Sequence, residues 1–227
     1  MSLLAPEDLG AVALSLRVAA TATVCAMPIA FAVAHALARG RFFGRAFLDA
    51  LTHLPLVLPP VATGFILLAL LGREGPIGRV LEAMGVRLAF HWTGAALAGA
   101  VMAFPLMVRP IRLSIEAIDP AVEDAARTLG ASPLARLMRI TLPLAGPGLI
   151  AGAVLGFARA LGEFGATITF VAAIPGETLT LPSAIYEATQ SPGAEPRALA
   201  LCAISLAIAL GAVFLGEQLS ARAARGR

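Results

Sequence analysis

Two groups of polar residues in this 227-residue chain have types and spacings that could do chemistry. The first is Arg159 and Glu163, four apart within an otherwise apolar run. On a helix they share a face and can pair. Ionisable residues in such a run are functional candidates by default, and Arg159 could meet a dianion on its path. An exposed Glu163 would repel the same anion, which favours a structural or gating pair. Thr167, with Thr169, Thr178 and Thr180, could offer hydroxyls to a tetrahedral oxyanion, although hydroxyl count alone carries little weight. Pro55, Pro59 and Pro60 interrupt another apolar run, where they must kink a helix and free backbone carbonyls. Pro59, Pro60, Arg159, Glu163 and Thr167 are therefore pathway or gating candidates, with ordinary helix packing an equal account of the prolines.

The second group lies in "AIDPAVEDAARTLGASPLARLMRITLP", residues 117 to 143. Asp119-Pro120 and Ser132-Pro133 each place a short polar N-cap before a proline at the first helical position, where its missing N–H costs nothing. Glu123 and Asp124 favour the positive end of the first helix dipole, and Gly130 is placed to end that helix in the left-handed region. The pattern predicts two short helices at about 120–129 and 133–140, joined by a sharp corner. Val122, Ala125, Ala126 and Leu129 share one face; Leu134, Leu137 and Met138 share another, with Arg136 and Arg139 directed away. Such a hairpin either lies on a membrane surface or docks a soluble partner.

Catalytic chemistry is missing from the chain. All 17 basic residues are Arg, and a P-loop requires a Lys to reach the phosphates. ATP cannot be bound that way here, and a Schiff-base lysine is excluded too. There is no H-E-x-x-H and no G-x-S-x-G. His35, His53 and His91 are isolated and read as helix or interfacial residues rather than metal ligands. Cys25 and Cys202 lie in apolar runs and read as buried thiols used as small hydrophobes. No cofactor is expected on this chain.

The elements that must position these groups are membrane spans. The chain is 59% hydrophobic and 14% charged, with a mean hydropathy of +0.86; soluble domains average about 45–50% apolar and about 25% charged. The net charge of +3 does not mark a nucleic-acid binder, because the arginines fall between apolar runs. Five runs, at about 10–38, 47–71, 92–113, 144–172 and 197–219, are each long enough for a bilayer core of about 30 Å. In the first, a span from about 18 to 38 with Arg17 reaching the near interface accommodates the charge. The opening residues carry Glu7 and Asp8 and no Arg, so they lack the n-region of a signal peptide and the first span is expected to be retained. Arg39, Arg41, Arg45, Arg109, Arg112, Arg127, Arg136, Arg139, Arg222, Arg225 and Arg227 fall on one side, against Arg73, Arg79, Arg87 and Arg197 on the other. The positive-inside rule then places the N-terminus outside, the C-terminus inside, and 117–143 in the cytoplasm. An all-α bundle of about five spans plus a two-helix cytoplasmic segment is expected.

"EDAARTLGASPLARLMRITLP" resembles the EAA loop of binding-protein-dependent ABC importer permeases of type I. That pattern is Glu-Ala-Ala, three residues, Gly, nine residues, then Ile-x-Leu-Pro. Asp124, Ala125 and Ala126 precede Gly130 at that spacing, and Ile140, Leu142 and Pro143 fall in register. Asp124 replaces the motif's Glu, and Glu123 could serve as the equivalent acid. "LSLRVAATATVCAMPIAFAVAHALAR" and "LPLVLPPVATGFILLALL" resemble the first core helices of these permeases. "FARALGEFGATITFVAAIPGETLTLPSAIY" is most similar to the molybdate branch of the sulfate/molybdate permeases.

The resemblance implies a single permease domain over 1–227, with a core of about 9–219 and a coupling segment at 116–143. Glu123, Asp124, Ala125, Ala126, Leu129, Gly130, Ile140, Leu142 and Pro143 would form the ATPase-coupling surface. It further implies a homodimer in the bacterial inner membrane, two cytoplasmic ABC ATPase subunits carrying ATP and Mg, and an external molybdate-binding protein. The substrate would be molybdate, with tungstate as a second candidate. A sulfate or thiosulfate permease is the alternative within the family, and an ATP-independent anion channel or carrier the alternative outside it.

Overall fold

A computed structural model describes residues 6–225, with the side chains of Glu217 and of 219–225 outside the described part. Arg222, Arg225 and Arg227, used above to orient the chain, lie in or beyond that undescribed part. Among the described residues the fold is all-α. Its elements are α1 (Pro6–Arg39), α2 (Arg45–Val57), α3 (Pro60–Leu71), α4 (Pro76–Ala83), α5 (Trp92–Glu116), α6 (Pro120–Thr128), α7 (Pro133–Arg136), a π-turn (Leu137–Thr141), α8 (Leu142–Leu144), α9 (Gly146–Leu161), α10 (Gly165–Val171), α11 (Leu181–Gln190) and α12 (Glu195–Arg225). Three helices, α1, α5 and α12, are long and apolar enough to cross a membrane alone. Two bent pairs, α2 with α3 and the α7–α8 stretch with α9, are each a broken span or a re-entrant loop, which puts the number of spans between three and five.

The core is where α1, α5 and α9 meet. Small residues on α1 (Ala19, Ala22, Ala26, Ala30 and Ala34) are buried against Met107, Val108, Ile111 and Ile115 of α5. Their spacing of three and four keeps them on one helical stripe, and the absence of bulk lets the backbones approach. The α9 side uses glycine for the same purpose. Gly148, Gly152 and Gly156 recur every fourth residue and are buried. A Cβ on Gly148 would come 2.6 Å from the Pro110 carbonyl oxygen, and one on Gly156 2.6 Å from Met107 Cγ. In lipid, where tails are as apolar as Leu, such close packing rather than water exclusion holds helices together.

Several expectations need correction. The second span is not one kinked helix over 47–71: α2 and α3 meet at 114°. Pro55 is accommodated inside α2, whereas Leu58 and Pro59 are extended. Consecutive prolines explain this, because each forces the residue before it out of the α region. The fourth span is not continuous over 144–172 either; it bends by 68° on entry and stops at Gly162, and α10 begins at Gly165. The first helix starts near Pro6 rather than Arg17. Arg17 is not held at an interface by length alone, since its guanidinium lies 3.7 Å from the Trp92 ring centroid, a cation–π contact. Cys25 and Cys202 are exposed rather than buried. In a membrane protein an apolar run does not distinguish core from lipid-facing surface. The short helices α4 and α11 went unforeseen.

Candidate functional site

Segment 117–143 is held in shape by local hydrogen bonds of the expected kind. Asp119 Oδ1 accepts from the Ala121 N–H at 2.9 Å, and Ser132 Oγ accepts from the Ala135 N–H at 3.2 Å. Both caps precede prolines at N1. Gly130 has φ +83°. Its N–H donates to the Arg127 carbonyl and that of Ala131 to the Ala126 carbonyl, each at 3.0 Å. These are the two bonds of a Schellman ending. The second helix differs from the expected 133–140: α7 is a single turn, after which the backbone widens into the π-turn ending at Thr141.

The face formed by these helices is apolar and uncovered. Leu129 is 87% exposed, Leu134 68%, Met138 53% and Val122 44%. Ala125 lies exposed beside them and Ala126 is half-buried. Asp124 points outward and pairs with Arg127 at 3.1 Å. A patch of large side chains flanked by alanines and rimmed by charge suits contact with a protein or a membrane surface. Glu123 points the other way: its Oε2 lies 3.6 Å from Arg39 Nε, and its Oε1 accepts from Thr141 Oγ1 at 3.0 Å. Ile140 and Leu142 are half-buried on the turn that leads into α9, and Pro143 is exposed.

The pathway candidates gather elsewhere. Sixteen residues of α9, about 24 Å at the helical rise, separate the segment from the break before α10. There Arg159 Nη1 and Glu163 Oε2 lie 2.5 Å apart. Glu163 is 3% exposed, and its Oε1 accepts from the Ala166 N–H at 2.8 Å. One carboxylate thus neutralises Arg159 and caps the start of α10. Thr167 is buried one turn into α10. The two broken spans meet break to break: a Cβ on Gly165 would lie 2.7 Å from Pro60 Cβ, and one on Gly64 2.8 Å from Ala166 Cα. Pro59 and Pro60 are exposed at this joint. The structure therefore brings Pro59, Pro60, Arg159, Glu163 and Thr167 into one region and keeps the segment 117–143 apart from it.

Sequence reasoning missed the anchors of Glu123. Arg39 counted only toward orientation, and Thr141 was an unassigned position between Ile140 and Leu142. Neither carries a local signal, because the contacts span 84 positions from 39 to 123 and 18 from 123 to 141.

A family model described as "Binding-protein-dependent transport system inner membrane component" matches residues 26–225. The molybdenum transport system permease protein ModB of Escherichia coli (strain K12) is 53% identical over 218 residues, 96% of this chain and 95% of that one. ModB of Haemophilus influenzae is 50% identical over 95% of this chain and 94% of its own length. The sulfate transport system permease protein CysT of Salmonella typhimurium is 34% identical over 97% of this chain and 79% of its own. Among solved structures, a bacterial alginate ABC transporter in complex with an alginate pentasaccharide-bound periplasmic protein superposes with a TM-score of 0.77. It shares 19% identity, over 96% of this chain and 80% of that one. The MetNI methionine ABC transporter superposes at 0.66, with 16% identity over 97% of this chain and 99% of that one.

Proposed function

Because the chain belongs to the family of binding-protein-dependent transport system inner membrane components, we propose that it is the transmembrane permease subunit of an ATP-driven molybdate importer. The observation that carries this reading is the exposed apolar face of α6 and α7, rigidly capped and set on a bundle whose near full-length relatives are molybdenum permeases. The multi-pass helical bundle forms the pathway, and the whole chain acts as one permease domain with its core over about 9–219.

Two copies assemble around the pathway. Two ATPase subunits, which carry ATP and Mg, seat on the face of Val122, Ala125, Leu129 and Leu134, and a binding protein delivers the oxyanion at the opposite end. The arginine distribution supports an N-terminus outside and the segment 117–143 in the cytoplasm. Closure of the ATPase pair draws the two coupling segments together, and the bundle answers by opening outward.

Among the described residues, the region around Arg159 and Glu163 carries no built anion trap. The charge of Arg159 is already met by Glu163, whose second oxygen is engaged by an α10 amide. A transporter must release what it carries, so selectivity is better placed on the delivering protein than in a deep site on the path. The Arg159–Glu163 pair serves the joint between α9 and α10.

Sulfate is the second reading, favoured by the CysT similarity. Purification with the ATPase and binding protein, reconstitution in vesicles and uptake of labelled molybdate test both. Uptake that requires ATP and is displaced by tungstate but not by sulfate supports the molybdate assignment. Displacement by equimolar sulfate moves the assignment to the sulfate branch, and uptake without ATP or an ATPase subunit overturns the importer.

A further inference from the structure

The chain connections between segment 117–143 and the membrane helices are both soft. On one side residues 117–119 form an irregular turn between α5 and α6. On the other, α7 continues into the π-turn Leu137–Thr141 and then a 68° bend before α9. A π-turn interrupts the i→i−4 ladder and is a place where a helix gives. A push delivered to the exposed face of α6 would be absorbed at these two joints unless something bridged them.

One side chain bridges the irregular turn and the π-turn, leaving only the bend before α9 outside its reach. Glu123, on the inner side of α6, reaches Arg39 at the end of α1 with one oxygen. Its other oxygen accepts from Thr141, the last residue of the π-turn, which is 2% exposed. Arg39 in turn donates from Nη2 to the Ile118 carbonyl at 2.8 Å, so the irregular turn is pinned as well. The Arg39 and Glu123 side chains are 22% and 19% exposed, which strengthens the pair relative to one in open water. Thr141 is equally telling. A helical threonine commonly turns its hydroxyl back on its own helix, yet this one donates across to a different element.

We infer that Glu123 is the positioning residue that passes displacement of the coupling segment to the bundle, with Arg39 and Thr141 as its two points of attachment. The inference rests on the coupling role proposed above. Glu123 does not face the partner; it makes the docked helix move as one body with the end of α1 and with the far end of the π-turn, from which the chain enters α8 and α9.

The test uses the complete complex in vesicles, reading ATP hydrolysis and molybdate uptake on the same preparation. Glu123→Gln keeps an oxygen for Thr141 and removes the charge. It is expected to assemble, to hydrolyse ATP within about twofold of the parent, and to transport about tenfold less per ATP. Thr141→Val removes one hydroxyl at nearly constant volume and should lower the same ratio about threefold. Arg39→Gln should match Glu123→Gln, and the double variant should be no worse than either single one. An unchanged ratio in Glu123→Gln or Thr141→Val, or additive losses in the double variant, overturns the inference. If Glu123→Gln fails to assemble, Thr141→Val decides by the same ratio. Failure of all three variants to assemble marks a purely structural role and overturns it too. A parent complex that transports without ATP sinks the importer reading itself, a result distinct from any variant outcome.

Discussion

The contact between α5 and α9 and the segment 117–143 are built on opposite plans. Between α5 and α9, a Cβ on Gly148 would fall 2.6 Å from the Pro110 carbonyl oxygen, one on Gly152 3.0 Å from the Met107 carbonyl oxygen, and one on Gly156 2.6 Å from the Met107 side chain. In the segment, Gly130 has nothing within 4 Å of a Cβ, and Leu129 is almost wholly exposed. The first region is defined by packing and is least tolerant of added volume at Gly148, which faces backbone. The second is defined by its own caps and turns and leaves its large side chains exposed. The same residue type, glycine, is required in one place for proximity and in the other for backbone conformation.

Substitutions separate these plans. The largest effect is expected from Gly148→Leu, which drives a side chain into the Pro110 carbonyl oxygen and Ile111 Cα at 2.6 and 3.1 Å. α9 must then leave α5, and the variant should be missing from the monodisperse peak of a detergent extract by size-exclusion chromatography; a normal peak would break the comparison. Leu129→Asp should leave that peak intact while weakening ATPase-subunit binding by about a hundredfold, as for loss of an interface anchor, measurable by pull-down titration. Gly130→Leu meets no neighbour but must hold φ near +83°, at a cost of about 1–2 kcal/mol. The bundle should still insert, and transport-linked ATPase activity should fall about 5–30-fold as the strained corner between α6 and α7 is populated less; undiminished coupling would show that the corner is dispensable. The smallest effect belongs to Ser132→Ala, which removes the cap on the Ala135 N–H for about 1 kcal/mol. Hydrogen exchange should rise over residues 133–136 and nowhere in α9.

What could be read from the sequence follows the same division. Asp119, Ser132 and Gly130 were legible because a cap or a left-handed ending is decided within a few residues. The five apolar runs were legible because hydropathy records the membrane. The break at Leu58–Pro59 was legible only as a kink, since Pro-Pro says that a helix is interrupted but not by what angle. Glu163 suggested a pair with Arg159, as the structure has it, yet its second role as cap of α10 required knowing that the helix stops at Gly162. The glycine stripe on α9 is a G-x-x-x-G pattern present in the sequence, but which helix packs on it is not encoded there. The three-way contact of Glu123 has no local pattern at all.

The joint between the broken spans has one further consequence, for water. Pro59 and Pro60 have no N–H, so the carbonyls of Pro55 and Leu56 lack their i+4 donors by covalent structure alone. The chain there is extended and exposed between two apolar helices that meet at 114°. Hydrocarbon cannot hydrogen-bond these oxygens, and bare backbone does not face lipid at membrane depth. That side of the chain therefore borders hydrated space or another protein surface, and a hydration-sensitive probe near Pro59 would report a polar environment where hydropathy alone forecasts oil.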